Sequence, residues 1–231
     1  MSSKKSPAPR VSVPQLYLAT PLVSDPADLA RTLPDLIASA NIAAVLVRFA
    51  DADERSIIQR GKALAPVIQN ANAAMLIADR FELVARMGAD GAHLSDLDAL
   101  NAALPTLKPD RIAGVGGLES RHDAMLAGET ADYVMFGEPP ANGPRPSSEA
   151  IMERLGWWAE VFEVPCVGHA DTREEALAFA ATGAEFLLLG EFIWKDPRGP
   201  QAALMDVHGA IRQNRPARTD GDQRPEPTAN N

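Results

Sequence analysis

Short runs of consecutive apolar residues alternate along this chain with longer stretches in which apolar residues recur every third or fourth position. The runs read Leu16–Thr20, Ala44–Arg48, Ala74–Ala78, Gly91–Leu94, Arg111–Val115, Tyr133–Gly137, Pro165–His169 and Phe186–Gly190. Most are apolar throughout, as parallel strands are when both of their faces are covered. The stretches that follow them supply the covering helices: Pro26–Ala40, Glu54–Ile68, Phe81–Met87, Ala99–Leu107, Arg121–Gly128, Ser148–Phe162, Arg173–Thr182 and Gln201–Arg212. Gly88, Gly128 and Gly183 come just after helices, and Thr172 stands as an N-cap before Arg173-Glu174-Glu175. A doubly wound open sheet shares this alternation, but no G-x-G-x-x-G follows the first strand, where Thr20-Pro21-Leu22-Val23 stands instead. Eight units suit closure, so the expected fold class is α/β, a single eight-stranded (β/α)8 TIM barrel.

The two ends do not share the pattern. Residues 1–13 lack an apolar run behind their two lysines and are expected to be a flexible N-terminus. The barrel then spans 14–213, and 214–231, polar and Pro-rich, cannot bury enough surface to offset its ordering entropy and reads as a disordered tail. With 231 residues and 46% hydrophobic content, one large core in one domain is expected. A formal charge of -9 argues against a nucleic-acid partner, which would need clustered Lys and Arg, and points to a small-molecule ligand. Cys166 is the only cysteine, which excludes an internal disulfide and a thiolate-rich metal centre and suits a cytoplasmic location. No uncharged apolar stretch reaches the roughly 18 residues of a membrane span.

In such a barrel the loops after the strands form the functional face, so residues at strand ends are read together. Arg48 ends the second strand, Asp79-Arg80 follow the third, His93 lies in the fourth, and Asp96 and Asp98 come directly after it. Glu138 follows the sixth strand, His169 and Asp171 the seventh, and Glu191 the eighth. Asp79 and Asp98 at neighbouring strand ends suit Mg²⁺, which takes one or two carboxylates and completes its shell with water and substrate phosphates, while Arg48 and Arg80 would neutralise an anion. The competing structural account makes Asp79–Arg80 an ion pair and Asp96 and Asp98 helix caps. A histidine in an apolar strand is more often a hydrogen-bonded core residue than a catalyst, and this holds for His93 and His169 alike. Trp157-Trp158 reads as helix packing.

The stretch Ile77-Ala78-Asp79-Arg80-Phe81-Glu82-Leu83-Val84-Ala85-Arg86-Met87-Gly88-Ala89-Asp90-Gly91-Ala92-His93-Leu94 resembles the thiamine phosphate synthase and thiazole tautomerase (TenI) superfamily, whose pattern is N-D-R and then an aliphatic helix ending G-A-D-G-V-H-L-G-Q-x-D. Leu16-Tyr17-Leu18-Ala19-Thr20, Ile112-Ala113-Gly114-Val115, Ala131 to Gly137 and Thr182-Gly183-Ala184-Glu185 support the likeness, which runs from about Leu16 to Ile193. Synthases of that superfamily join hydroxymethylpyrimidine diphosphate to thiazole phosphate, with Mg²⁺ assisting departure of pyrophosphate from a pyrimidine cation. The resemblance implies Asp79 and Asp98 as metal ligands, Arg48 and His93 as catalytic residues, and Arg48, Arg80, His93, Gly116, His169 and Gly190 as substrate-binding positions. It implies thiamine precursors as partners and is compatible with a homo-oligomer.

Several positions depart from the superfamily pattern. Q-x-R-x-K becomes Leu46-Val47-Arg48-Phe49-Ala50, the asparagine of N-D-R is Ala78, and the serine after the fifth strand is Gly116. T-x-T-K becomes Glu138 to Arg145, which leaves Arg145 to stand in for the lysine, and the phosphate-binding G-G turn becomes His169-Ala170-Asp171-Thr172. The expectation is a weak or divergent synthase. The alternative is a TenI-like isomerase or a non-catalytic binder of an unphosphorylated thiamine precursor. Asp79, Asp98, Arg48 and His93 are expected around one pocket, with Glu138 and Glu191 on its opposite rim.

Overall fold

The computed structural model describes residues 13–141 and 143–214. Eight strands, β1 (Gln15–Val23), β2 (Ile42–Phe49), β3 (Ala74–Ala78), β4 (Gly91–Leu94), β5 (Ile112–Val115), β6 (Tyr133–Phe136), β7 (Cys166–Ala170) and β8 (Phe186–Leu189), pair in sequence order. Every pairing is parallel, and β1 pairs with β8 to close the barrel. Around it lie α1 (Ala27–Ala40), α2 (Glu54–Asn70), α3 (Val84–Met87), α4 (Leu97–Leu107), α5 (Arg121–Gly128), α6 (Ser148–Val161), α7 (Arg173–Ala180), α8 (Phe192–Lys195) and α9 (Pro200–Gln213).

Strand side chains alternate between two cores, because successive residues point to opposite faces. Leu16 and Leu18 pack outward into the large layer between strands and helices. Tyr17 and Ala19 point inward and join Leu46, Leu76, Tyr133, Met135, Val167 and Leu188 in the barrel interior. Trp158 is fully buried in the outer layer and donates its indole N–H to Val164 O at 2.7 Å, so the tryptophan pair packs as expected.

Element ends shift where local bonding competes with periodicity. β1 runs three residues past Thr20, through an irregularity that accommodates Pro21. The stretch from Phe81 splits into a 3-10 turn, Phe81–Leu83, and one turn of α-helix. The helix expected through Thr182 stops at Ala180, and the Thr182 hydroxyl donates to Phe179 O at 2.7 Å. Gly88 takes the left-handed conformation after α3 (φ 77°), and Thr172 caps α7 by accepting from Glu175 N. Gly128 is instead the last residue of α5. The short α8, too brief to show periodicity, is an addition; it buries Ile193 and ties Trp194 Nε1 to Ala19 O at 2.7 Å.

The flexible terminus expected over 1–13 lies outside the described residues except for Val13, which packs on the outer core, and the tail expected from 214 lies outside them from residue 215. Among the described residues no helix is long and apolar enough to cross a membrane.

Candidate active site at the barrel mouth

A cavity of about 400 Å³ opens at the C-terminal ends of the strands, lined by Ala19, Leu46, Arg48, Glu138, His169, Asp171, Leu188, Gly190, Glu191, Phe192 and Lys195. Arg48 reaches it from the end of β2, where its Nε donates to Thr20 O at 2.8 Å and its backbone N–H to the buried Thr20 hydroxyl at 3.1 Å. One guanidinium nitrogen stands 3.4 Å from Glu191 Oε1. Glu191 is also bound by Lys195 at 2.6 Å one helical turn on, and Lys195 and then Arg48 hold its carboxyl below the usual range.

A hydrogen-bonded chain runs from this cavity into the barrel interior. The Tyr17 and Tyr133 hydroxyls are 3.3 Å apart, the Tyr133 hydroxyl is 2.9 Å from His93 Nδ1, and His93 Nε2 is 2.8 Å from Glu138 Oε2. Burial pushes both phenols up, so each keeps its proton. Burial also works against charge on Glu138, but His93, then His169 and Arg48, overcome it and hold the carboxyl below its ordinary value. One directional arrangement satisfies every member: Tyr17 O–H donates to Tyr133, Tyr133 O–H to Nδ1, and Nε2–H to the Glu138 carboxylate.

Two glycines make the chain sterically feasible. A methyl group on Gly114 would overlap the Tyr133 ring, and one on Gly116 would overlap Glu138 Oε2 and come within 3.0 Å of His93 Nε2. Gly116 is therefore the space into which Glu138 folds. His93, at 4% exposed, meets the cavity only through Glu138.

On the β6–β8 side the charges are committed to one another. Arg145 donates from Nη1 and Nη2 to the two Glu175 oxygens at 2.8 Å each, from Nη2 to His169 O at 2.9 Å and from Nε to Gly137 O at 2.7 Å, and it stands 3.1 Å from Asp171 Oδ2. Arg145 was expected to stand in for the lysine of T-x-T-K; its donors are spent on the ends of β6, β7 and α7, and it ties those elements together. Glu175 also accepts from the Ser148 hydroxyl at 2.6 Å and the Asp171 N–H at 2.9 Å. Burial opposes its charge, yet these bonds hold its carboxyl at about 2. Gly190 donates its N–H to Ala170 O. His169 Nε2 stands 3.3 Å from Asp171, Nδ1 is buried without a partner among the described residues, and burial lowers the imidazole despite Glu138 and Asp171.

The β3–β4 side is looser. Asp79 and Arg80 form consecutive left-handed residues (φ 53° and 26°), a conformation that stores strain and is found at ligand-binding turns more than elsewhere. Asp79 Oδ1 accepts from Ser95 N at 3.1 Å. Arg80 pairs with Asp51 at 3.7 Å, rather than with Asp79. Asp96 is the N-cap of α4, and exposed Asp98, in its first turn, shares a second hollow of about 240 Å³ with Asp96, Gly117, Glu119 and Asp123. The residues expected around one pocket are thus divided: Arg48, Glu138 and Glu191 line the main cavity, Asp98 the second hollow, and Asp79 lines neither. Among the described residues no group of three or more His, Cys, Asp or Glu side chains converges as an all-protein metal centre would.

Sequence reasoning placed Glu138 only on a rim and passed over Tyr17 and Tyr133. The available signal was two inward-facing tyrosines in otherwise aliphatic strands.

Comparison with known proteins places this barrel in context. The family model described as thiamine monophosphate synthase matches residues 16–193. The thiamine-phosphate synthase of Rhodospirillum centenum is 38% identical over 86% of this chain and 98% of that protein, and the one from Hyphomonas neptunium is 33% identical over 88% and 95%. The structure of thiamine phosphate pyrophosphorylase from Pyrococcus furiosus superposes with a TM-score of 0.68 at 18% identity, covering 86% of this chain and 96% of that one, which shows the shared fold. On the extent of the family match and of these identities, the chain belongs to the thiamine monophosphate synthase family.

Proposed function

We propose that the chain is a transferase that couples a pyrimidine methyl diphosphate to a thiazole. The pyrimidine CH₂–O bond breaks, pyrophosphate departs with the bonding electrons, and the thiazole nitrogen donates its pair to the carbon. The observation that carries this reading is one cavity holding both a fixed carboxylate, Glu138 anchored by His93, and a fixed cation, Arg48 anchored on Thr20. A preorganised anion stabilises positive charge developing on the pyrimidine carbon, and a preorganised cation stabilises the leaving group, without reorganisation at the moment of reaction.

In this reading Asp79 and Asp98, hard oxygen donors on exposed residues that follow neighbouring strands, would hold Mg²⁺ with substrate phosphate oxygens completing its shell, since the ion typically uses one or two carboxylates. When bound, the ion would neutralise charge on the departing pyrophosphate. Arg80 then supplies a further cation beside Asp79, and His93 keeps Glu138 in place. The partners in this reading are small molecules in the cytoplasm.

The test is product formation by the full chain with Mg²⁺, pyrimidine diphosphate and either thiazole phosphate or the thiazole alcohol. Glu138→Gln is expected to lower kcat on the order of 10- to 100-fold with little change in KM, the pattern of an interaction that strengthens in the transition state. Absence of coupling with both acceptors would sink the reading.

A further inference from the structure

We propose that Tyr133 is a positioning residue for the cavity carboxylate: its hydroxyl fixes the His93 ring and, through it, the direction in which Glu138 faces the cavity, a role that rests on the coupling reaction proposed above. The hydrogen bonds run in single file. Among the described residues His93 is the one side chain that hydrogen-bonds Glu138, at 2.8 Å, and Tyr133 is the one other partner of the His93 ring, at 2.9 Å. The Tyr17 hydroxyl stands 3.3 Å behind that of Tyr133 and has no further partner among the described residues. Tyr17, Tyr133 and His93 are all buried, so bulk water does not replace a lost member.

A proton count gives the chain its direction. With Nδ1 bare, the two phenolic protons fill the two contacts, Tyr17 to Tyr133 and Tyr133 to Nδ1, one each. With a proton on Nδ1, three protons compete for the same two contacts, and one buried donor is left without an acceptor, which is the costly case. Burial keeps the proton on each phenol. The imidazole therefore carries its proton on Nε2 and donates it to Glu138, which faces the cavity as an acceptor. The packing offers Tyr133 no substitute: its ring lies parallel to His93 (5° between planes, centroids 5.7 Å apart) and against Gly114, where a methyl group would meet Cζ at 1.9 Å. Removing the Tyr133 hydroxyl leaves the His93 ring one anchor, so ring and carboxylate turn together. Removing the Tyr17 hydroxyl leaves both anchors in place.

Tyr133→Phe and Tyr17→Phe each delete one buried hydroxyl and keep the ring, so a merely structural role predicts the same outcome for both. Nuclear magnetic resonance of the ¹⁵N-labelled full chain, without substrate, reads the histidine proton directly. His93 is expected to be bare at Nδ1 and protonated at Nε2 in the wild type, with the Nε2 proton exchanging with water about 10-fold faster or more in Tyr133→Phe than in Tyr17→Phe. In the coupling assay Tyr133→Phe is expected to lower kcat on the order of 10-fold at nearly constant KM, and to add less than about 2-fold once Glu138→Gln is present, because it acts through that carboxylate. A proton on Nδ1 in the wild-type chain, equal exchange in the two variants, or the same loss of kcat in both backgrounds would overturn the inference. A wild-type chain that couples neither thiazole phosphate nor the thiazole alcohol would sink the transferase reading instead, and the resonance measurement would still decide whether Tyr133 fixes His93.

Discussion

The two sides of the barrel mouth use charge in different ways. On the β6–β8 side nearly every charged group is satisfied within the chain: Arg145 and Glu175 close on each other, and His93 holds Glu138. On the β3–β4 side the charges are held loosely: Asp79 takes one backbone N–H, Asp98 is exposed, and Arg80 reaches Asp51 only at 3.7 Å. The contrast teaches which side the fold pairs within itself and which it leaves largely exposed. A saturated network stiffens the walls and fixes a field. An unsaturated one, under the reading proposed above, would have room for a metal ion and phosphate oxygens.

The largest expected effect comes from opening the saturated side. Arg145→Met strands the Glu175 carboxylate and is expected to cost about 3 kcal/mol, a fall in Tm of roughly 6–12 °C by thermal melting. Its counterpart carries a pH signature. The folded-state value of Glu175, about 2, lies below the ordinary 4.5, so its contribution is full above the ordinary value and is lost as pH falls through the folded one. Wild type and Glu175→Gln should therefore differ most at neutral pH and converge between pH 4.5 and about 2. A gap independent of pH would mean that Glu175 serves by shape alone.

On the open side the same size of change should spare stability and strike binding. Asp79→Ala and Asp98→Ala are each expected to weaken Mg²⁺-dependent pyrophosphate binding on the order of 10- to 100-fold by calorimetry, as loss of a charge-assisted ligand does. Unchanged affinity would show that this side is not where the anion sits.

Gly116→Ala tests the seam between the sides. The added methyl drives Glu138 off His93, so a cost of about 1–3 kcal/mol in stability and a fall in kcat are expected together. A variant that melts like wild type and retains kcat would mean that Glu138 has room to move. The smallest effect is reserved for Arg80→Ala, whose exposed pair with Asp51 should contribute less than about 1 kcal/mol, so Tm barely shifts while pyrophosphate binding drops.

Eight β/α units were legible in the chain because uninterrupted apolar runs at strand length and apolar residues at helical spacing are local properties, written in consecutive residues. Local bonding likewise made Thr172 readable as the cap of α7. The long block from Ile77 to Leu94 carried the family likeness for the same reason, since it is contiguous. The partners of each charge were not legible, because they are set by which strand ends closure brings together. Arg145 meets Glu175 30 positions away, and His93 meets Glu138 45 positions away through a gap that Gly116 leaves. A sequence shows that Gly116 lacks a side chain; only the closed barrel shows whose carboxylate fills the space. The alternation, its eight-fold count and the missing glycine motif thus determined the fold, and tertiary contact alone decided which charges are paired within the chain and which stay exposed, because pairing depends on distance in space and on local dielectric rather than on separation along the chain.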